Sequence, residues 1–423
     1  MTDVFAFLDR QINDLLRVDV GFSTLPAARR RPVSAETLEG YRTRHGLLTS
    51  FQDITERLFT ASLKGEADPL IARLIVNEQP DQHGWARHRA VHEQAEQAGR
   101  RIRPTFFRTD EVVPGKISEI QCPGSLWCVC EQLDGLYRRF PDRFGGTPPS
   151  SLSPAQGFAQ DLRAHLHALL GVEPVIHHLL DNASVQAGMR FFLQRTRAHG
   201  VKYYGYDKGV TPGDCNFIRA HDFPSLLNEN FYRGRFASWM VKELEYDLPP
   251  SVVFDEKVPL VLPFWEKTRA QYPDAVRDIF PYTTLVTPDR FQLEDGSRVT
   301  LEEFFRLPRG ERQYFLKYAG SDISRNWGSK AVYSAAALTR GMIDQLQAEI
   351  LDGFARNQYW ILQKGYSRKE TVTYLERDGE AREVEATAKF SGFYGPSGLI
   401  AILNMHRPFY KVHGSERTIV SLS

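Results

Sequence analysis

The stretch Arg103–Ser125, RPTFFRTDEVVPGKISEIQCPGS, holds four polar side chains whose types and spacing could do chemistry. It reads as two short strands, Thr105–Val113 and Lys116–Gln121, joined at Pro114-Gly115. Residues two apart on a strand share a face, so Arg108 projects with Asp110 and Glu119 with Gln121. A two-residue turn sets Asp110 opposite Glu119 and Arg108 opposite Gln121, although Pro-Gly suits a type II turn better than the primed hairpin types. Two adjacent carboxylates repel unless a cation lies between them. Mg²⁺ with phosphate oxygens answers that need, because Mg²⁺ takes hard oxygen ligands. An ordinary charged hairpin carries the same pattern, so the rest of the chain must decide.

Elements to position such a hairpin can be read on both sides of it. Residues 3–18 and 35–63 show helical spacing, with Ser34 as N-cap of the second run and Glu36 in its first turn. Pro69-Leu70 opens a short helix, and a charged helix spans Trp85 to Ala98. Leu126–Arg139 is a helix directly behind the hairpin, and the Pro/Gly/Ser-rich loop 141–154 marks a boundary. Gln156–Leu170 is an amphipathic helix. Pro174–Leu180, Val185–His199 and Val201–Tyr206 then make a strand–helix–strand unit of a parallel sheet, with Asp181 and Ser184 at the helix start, where ligands sit beyond strand carboxyl ends. Residues 236–280 read as mostly helical with a strand-like insertion at Ser251–Phe254. The tail 371–423 alternates as antiparallel sheet.

Bulk properties narrow the partners. The chain has 423 residues, enough for two or three domains, and a formal net charge of +1. No field favours nucleic acid or an anionic membrane. No stretch approaches the roughly 18 apolar residues of a membrane span, and the amphipathic, acidic N-terminus lacks a signal-peptide pattern, so a cytoplasmic location is the default expectation. Four cysteines are too few for a disulfide framework, and Cys122, Cys128 and Cys130 lack zinc-pair spacing. A small molecule is the expected partner.

A second set of residues lies two hundred positions downstream. Tyr314–Lys317 (YFLK) is a strand ending in lysine, followed by the polar segment Tyr318–Ser329, YAGSDISRNWGS, which carries Gly320, Asp322, Ser324, Arg325, Trp327 and Gly328. Tyr359–Lys364 (YWILQK) is an apolar strand ending in Gln363-Lys364. Nucleotide-dependent ligation needs a lysine at the phosphates, a glycine-bearing loop over them, an apolar strand for adenine, oxygen ligands for Mg²⁺ and a cation for an acyl-phosphate. Lys317, the 318–329 loop with Gly320, Ser324 and Gly328, and Gln363 with Lys364 fit the first three. Asp110, Glu119 and Gln121 fit the fourth; Arg108, Arg325 or Arg407 fit the fifth.

Arranged so, the chain resembles the circularly permuted branch of the ATP-grasp superfamily, which includes glutathionylspermidine synthase-like ligases. The resemblance rests on Arg108-x-Asp110 followed by Glu119-x-Gln121, on Lys317 before the Gly320–Gly328 loop, and on the strand ending in Gln363. The acidic strand precedes the lysine strand, which is the permuted order. Where the family has Asn, this chain has Gln121, whose amide sits one methylene further out. The resemblance implies a mixed α/β (α+β) ATP-grasp fold in permuted order, with residues 1–150 a helical N-terminal region plus the metal-binding hairpin, 151–250 a pre-ATP-grasp βαβ domain, and 251–423 the nucleotide-binding subdomains. It implies ATP and Mg²⁺ as cofactors and small-molecule carboxylate and amine substrates (peptide, amino acid or polyamine). Two rivals are a non-catalytic nucleotide-binding protein, motivated by Gln121, and an interaction protein acting through its helical N-terminal region.

Overall fold

The computed structural model describes residues 4, 6, 24–31, 33–80, 82–122, 126–144, 152–179, 183–204, 215–220, 229–254, 256–320, 325, 331–409 and 418–423. Of the expected helix at 3–18 only Val4 and Ala6 are described, both helical; the expected positions Asp181, Asp322, Ser324, Trp327 and Gly328 lie outside the described residues, as does the side chain of Ser184.

Three sheets of four or more strands organise the described residues. The largest contains β1 (Thr24–Pro26), β2 (Phe107–Val113), β3 (Lys116–Gln121), β15 (Ala381–Gly395), β16 (Gly398–Arg407) and β17 (Thr418–Leu422). Their order across the sheet is β1-β17-β16-β15-β2-β3. A seventh strand, β14 (Lys369–Leu375), pairs with β15 at Ala381–Thr387. β1 and β17 pair in parallel; the hairpin and the tail are antiparallel. The hairpin therefore joins strands some 280 positions downstream, Asp110 lying beside Ser391.

Strand alternation gives this sheet two apolar faces. Phe107, Tyr394 and Ile402 pack beneath α1 (Ala35–Lys64), α2 (Pro69–Val76) and α3 (His83–Gln97). Phe106, Phe393, Leu403 and Met405 pack beneath α4 (Trp127–Arg139), α5 (Pro154–Leu170) and α6 (Ala183–Arg197). Helix α1 starts at Ser34, whose hydroxyl accepts from the Thr37 amide, and ends at Gly65 in the left-handed region (φ 79°).

A four-stranded antiparallel sheet is built from β8 (Thr283–Leu285), β11 (Tyr314–Tyr318), β12 (Val332–Ser334) and β13 (Trp360–Lys364), in the order β12-β11-β13-β8. One face carries an apolar cluster including Leu316, Tyr318, Trp360 and Leu362, closed by α9 (Leu301–Arg306) and α10 (Arg340–Ala355). A short ribbon of β9 (Phe291–Gln292) and β10 (Arg298–Val299) leads into α9. The third sheet is parallel, from β4 (Val175–Leu179), β5 (Lys202–Tyr204), β6 (Phe217–Ala220) and β7 (Glu245–Tyr246), in the order β5-β4-β6-β7. Its β4–α6–β5 unit is the one read from the sequence.

The 236–280 segment differs from expectation. After α7 (Glu229–Met240) it runs through 3₁₀ turns at Val252–Phe254, Val258–Val261 and Arg269–Gln271 and the five-residue α8 (Asp274–Asp278). Prolines 249, 250, 259, 263 and 273 recur too closely for a long helix, and Val252–Phe254 is a turn rather than a strand. No helix among the described residues is long and apolar enough to cross a membrane.

Candidate functional site

The hairpin has the register its turn implies, with Arg108 opposite Gln121 and Asp110 opposite Glu119. Gly115 supplies the positive φ (85°) that a Pro-Gly turn requires. Irregularities on either side of Glu111 bend β2 just past Asp110.

Asp110 is buried, and both its oxygens are engaged. Arg108 grips it in a fork, Nε to Oδ1 at 3.0 Å and Nη2 to Oδ2 at 3.1 Å. Lys389 Nζ donates to Oδ2 at 2.9 Å and Ser391 Oγ to Oδ1 at 2.7 Å. Burial opposes ionisation of this carboxyl, but Arg108 and Lys389 beside it outweigh burial and hold it well below the usual carboxylate range. Lys389 and Ser391 come from β15, two positions apart and so on one face. Across from Asp110, Glu119 is half-buried, and its side chain makes no hydrogen bond among the described residues.

Lys317 joins the two antiparallel sheets. It stands on β11 opposite Ile361 of β13, and Phe315 stands opposite Gln363, so Lys317 and Gln363 share a face. Lys317 Nζ donates to Gln363 Oε1 at 2.7 Å and, across to the hairpin, to the Ser118 carbonyl at 3.1 Å. Gln363 is held in turn by Nε2 donating to Thr283 Oγ1 at 3.1 Å. Burial brings the Lys317 ammonium down to about 8; Glu119 and Asp110 oppose that shift, and Lys257 and Lys389 reinforce it. Arg108 and Lys389 act on the Asp110 carboxyl, and Lys257, Lys389, Glu119 and Asp110 act on the Lys317 ammonium, so these groups share one electrostatic neighbourhood. Clustered cations of this kind attract a polyanion.

Other expected residues fall elsewhere. Arg325 pairs with Glu349 and lies over the rings of Tyr318 (4.4 Å) and Trp360 (5.2 Å). Lys364 pairs with Glu294 at 3.2 Å and lies over Tyr314. Both are on the α9/α10 face of the four-stranded sheet, opposite Lys317. The main-chain amides of Lys364 and Gly365 already donate to Tyr282 and Gln313 carbonyls, so they are committed to the sheet. Arg407, opposite Thr387 on β16, shares the Lys389 face of the large sheet. Gly320 is buried, and a Cβ there would lie 2.3 Å from the Tyr318 hydroxyl, so any larger residue would require the Tyr318 ring to shift.

The donor set can be tested against Mg²⁺. No cluster of three or more His, Cys, Asp or Glu exists among the described residues. Mg²⁺ makes do with one or two protein oxygens when phosphates and waters complete its octahedron. Glu119 with the neighbouring Gln121 fits that limited role, whereas Asp110 is occupied in holding cations. None of Cys122, Cys128, Cys130 and Cys215 is in a disulfide.

No family model and no curated protein matches the sequence. Among solved structures, the chain is similar to a glutathione synthetase-like effector from Globodera pallida, at TM-score 0.50 and 12% identity, over 98% of this chain and 93% of that one. A candidate gamma-glutamylcysteine synthetase from Methylobacillus flagellatus matches at TM-score 0.39 and 9% identity, over 86% of this chain and 83% of that one. At these identities the first likeness is one of fold: a mixed α/β, ATP-grasp-like architecture shared with glutathione synthetase-like proteins.

Proposed function

We propose that the protein is an ATP-dependent carboxylate–amine ligase. The observation that carries this reading is the buried Lys317 ammonium, bridging Gln363 of one sheet and Ser118 of the other. In this reading Lys317 and Lys257 neutralise the triphosphate. Glu119 and Gln121 would hold Mg²⁺, which when bound supplies charge stabilisation at the transferring phosphoryl group. Asp110 keeps Arg108 and Lys389 extended toward the same crevice, and Arg407 lies along their face. A substrate carboxylate attacks the γ-phosphorus, ADP leaves, and an acyl-phosphate remains. An amine then attacks the acyl carbon, phosphate leaves, and an amide results. No protein nucleophile is needed, so positioning and fixed charge do the work. The substrates are small peptides, amino acids or polyamines.

The test is ADP release from Mg·ATP in the presence of pooled amino acids and polyamines, beside Lys317→Ala. Substrate-stimulated ADP release, lost in the variant, is the expected result. A second reading, nucleotide binding without ligation, is favoured by the full engagement of Asp110, which leaves the metal only Glu119 and Gln121. ATP binding with no stimulated turnover in any pool would select it.

A further inference from the structure

The parallel sheet contains a buried arginine that the nucleotide site does not use. The chain passes from β4 to β5 on one side and then crosses to β6 on the other, so the carboxyl ends of β4 and β6 flank a switch in strand order. Crevices at such points are where open α/β sheets bind ligands. Arg219 is the penultimate residue of β6, in register with His178 of β4, and is fully buried. Its Nη1 donates to Asp247, and its guanidinium lies over Phe158 at 5.2 Å and near Trp127 at 6.0 Å. Its Nε and Nη2 have no hydrogen-bond partner among the described residues.

Those two N–H groups form one edge of a planar fork, parallel and spaced to meet both oxygens of a carboxylate. Asp247 does not serve that edge: its Oδ2 meets Arg219 Nη1 and its Oδ1 accepts from the Phe106 amide at 2.9 Å. A buried donor pair left open costs free energy unless a ligand meets it. The Phe106 amide that donates to Asp247 stands two residues before Arg108, so the Arg219–Asp247 pair is tied to the strand that enters the hairpin.

We propose that the open edge of Arg219 binds a carboxylate of the small-molecule substrate, one that anchors the substrate and is not the group activated. This deepens the ligase reading and rests on it only for what the anchored molecule is for. The Arg219–Asp247 pair is the fixed part of the subsite: Asp247 orients the guanidinium through Nη1 and leaves the fork to the ligand.

The experiment is calorimetric titration of the full chain, without nucleotide, with sodium glutarate and with its uncharged diamide, glutaramide. Saturable glutarate binding with none for glutaramide is expected. Arg219→Met should lose it. Arg219→Lys keeps a positive charge beside Asp247 and so keeps the fold, but it lacks the fork and should bind at least roughly ten-fold more weakly. The proposal is overturned if wild type does not bind glutarate, if Arg219→Lys binds it as wild type does, or if inorganic phosphate displaces it with higher affinity. Arg219-dependent glutarate binding in a protein that never releases ADP would sink the ligase reading while leaving this subsite standing.

Discussion

If Lys317 meets the phosphates as proposed, its ammonium should make nucleotide binding pH-dependent in a range where lysines are ordinarily silent. Burial lowers its pKa from 10.5 to about 8 in the protein without nucleotide. Phosphate oxygens placed against it would offset that desolvation and return the pKa to its ordinary range or higher. Binding ATP above pH 8 must then take up a proton. Affinity should be flat below pH 8, fall by roughly ten-fold per pH unit above it, and level off at a loss of about 300-fold, the ratio between acid constants at pKa 8 and pKa 10.5. Calorimetry at pH 9 in two buffers of different ionisation enthalpy should report uptake of nearly one proton per nucleotide. Lys317→Arg, charged throughout, should bind without the alkaline limb. The same shift has a stability sign. A depressed lysine contributes stability above its unfolded pKa and loses it as pH falls through the folded value, so without nucleotide this group stabilises the fold as pH rises from about 8 to 10.5. Flat wild-type affinity from pH 7 to 10, or an equal alkaline loss in Lys317→Arg, would refute the reasoning.

Three further substitutions separate the roles of neighbouring groups. Glu119→Gln should leave thermal stability within about 0.5 kcal/mol of wild type but remove most of the Mg²⁺ enhancement of ATP binding. It should also move the alkaline limb to lower pH, because Glu119 is the strongest group opposing the Lys317 shift. Asp110→Asn removes the buried anion that Arg108 and Lys389 share and should cost about 3–5 kcal/mol in denaturant unfolding, part of it recovered by adding Lys389→Met. Gly395→Ala puts a Cβ 2.1 Å from Asp161 Oδ2 and 2.7 Å from the Phe106 ring. It should cost about 1–3 kcal/mol by overpacking, read as a lowered denaturation midpoint without a changed slope.

The hairpin was legible because two local rules act there together: side chains alternate along a strand, and Pro-Gly closes a turn that fixes the count. Asp110 facing Glu119 follows from those rules alone. Lys389 and Ser391 were not legible, although they sit at the same i, i+2 spacing. Their partner is 279 to 281 positions away, and no local pattern says which tail strand accepts β2. Lys257 was hidden because the proline-broken segment around it has no period to read. Lys364 is a different case. It follows Gln363 directly, so the alternation that grouped Asp110 with Arg108 already sends it to the opposite face, where Glu294 and Tyr314 receive it. Arg325 stands on that same face, over Tyr318 and Trp360, one residue out of phase with Lys317 and Ile361. The consequence is chemical. The cations left facing the crevice come from both antiparallel sheets, Lys317 from one and Arg108 and Lys389 from the other. Any motion that parts the sheets therefore separates the charges that would hold a triphosphate, and the Lys317–Ser118 hydrogen bond is a contact such a motion must break.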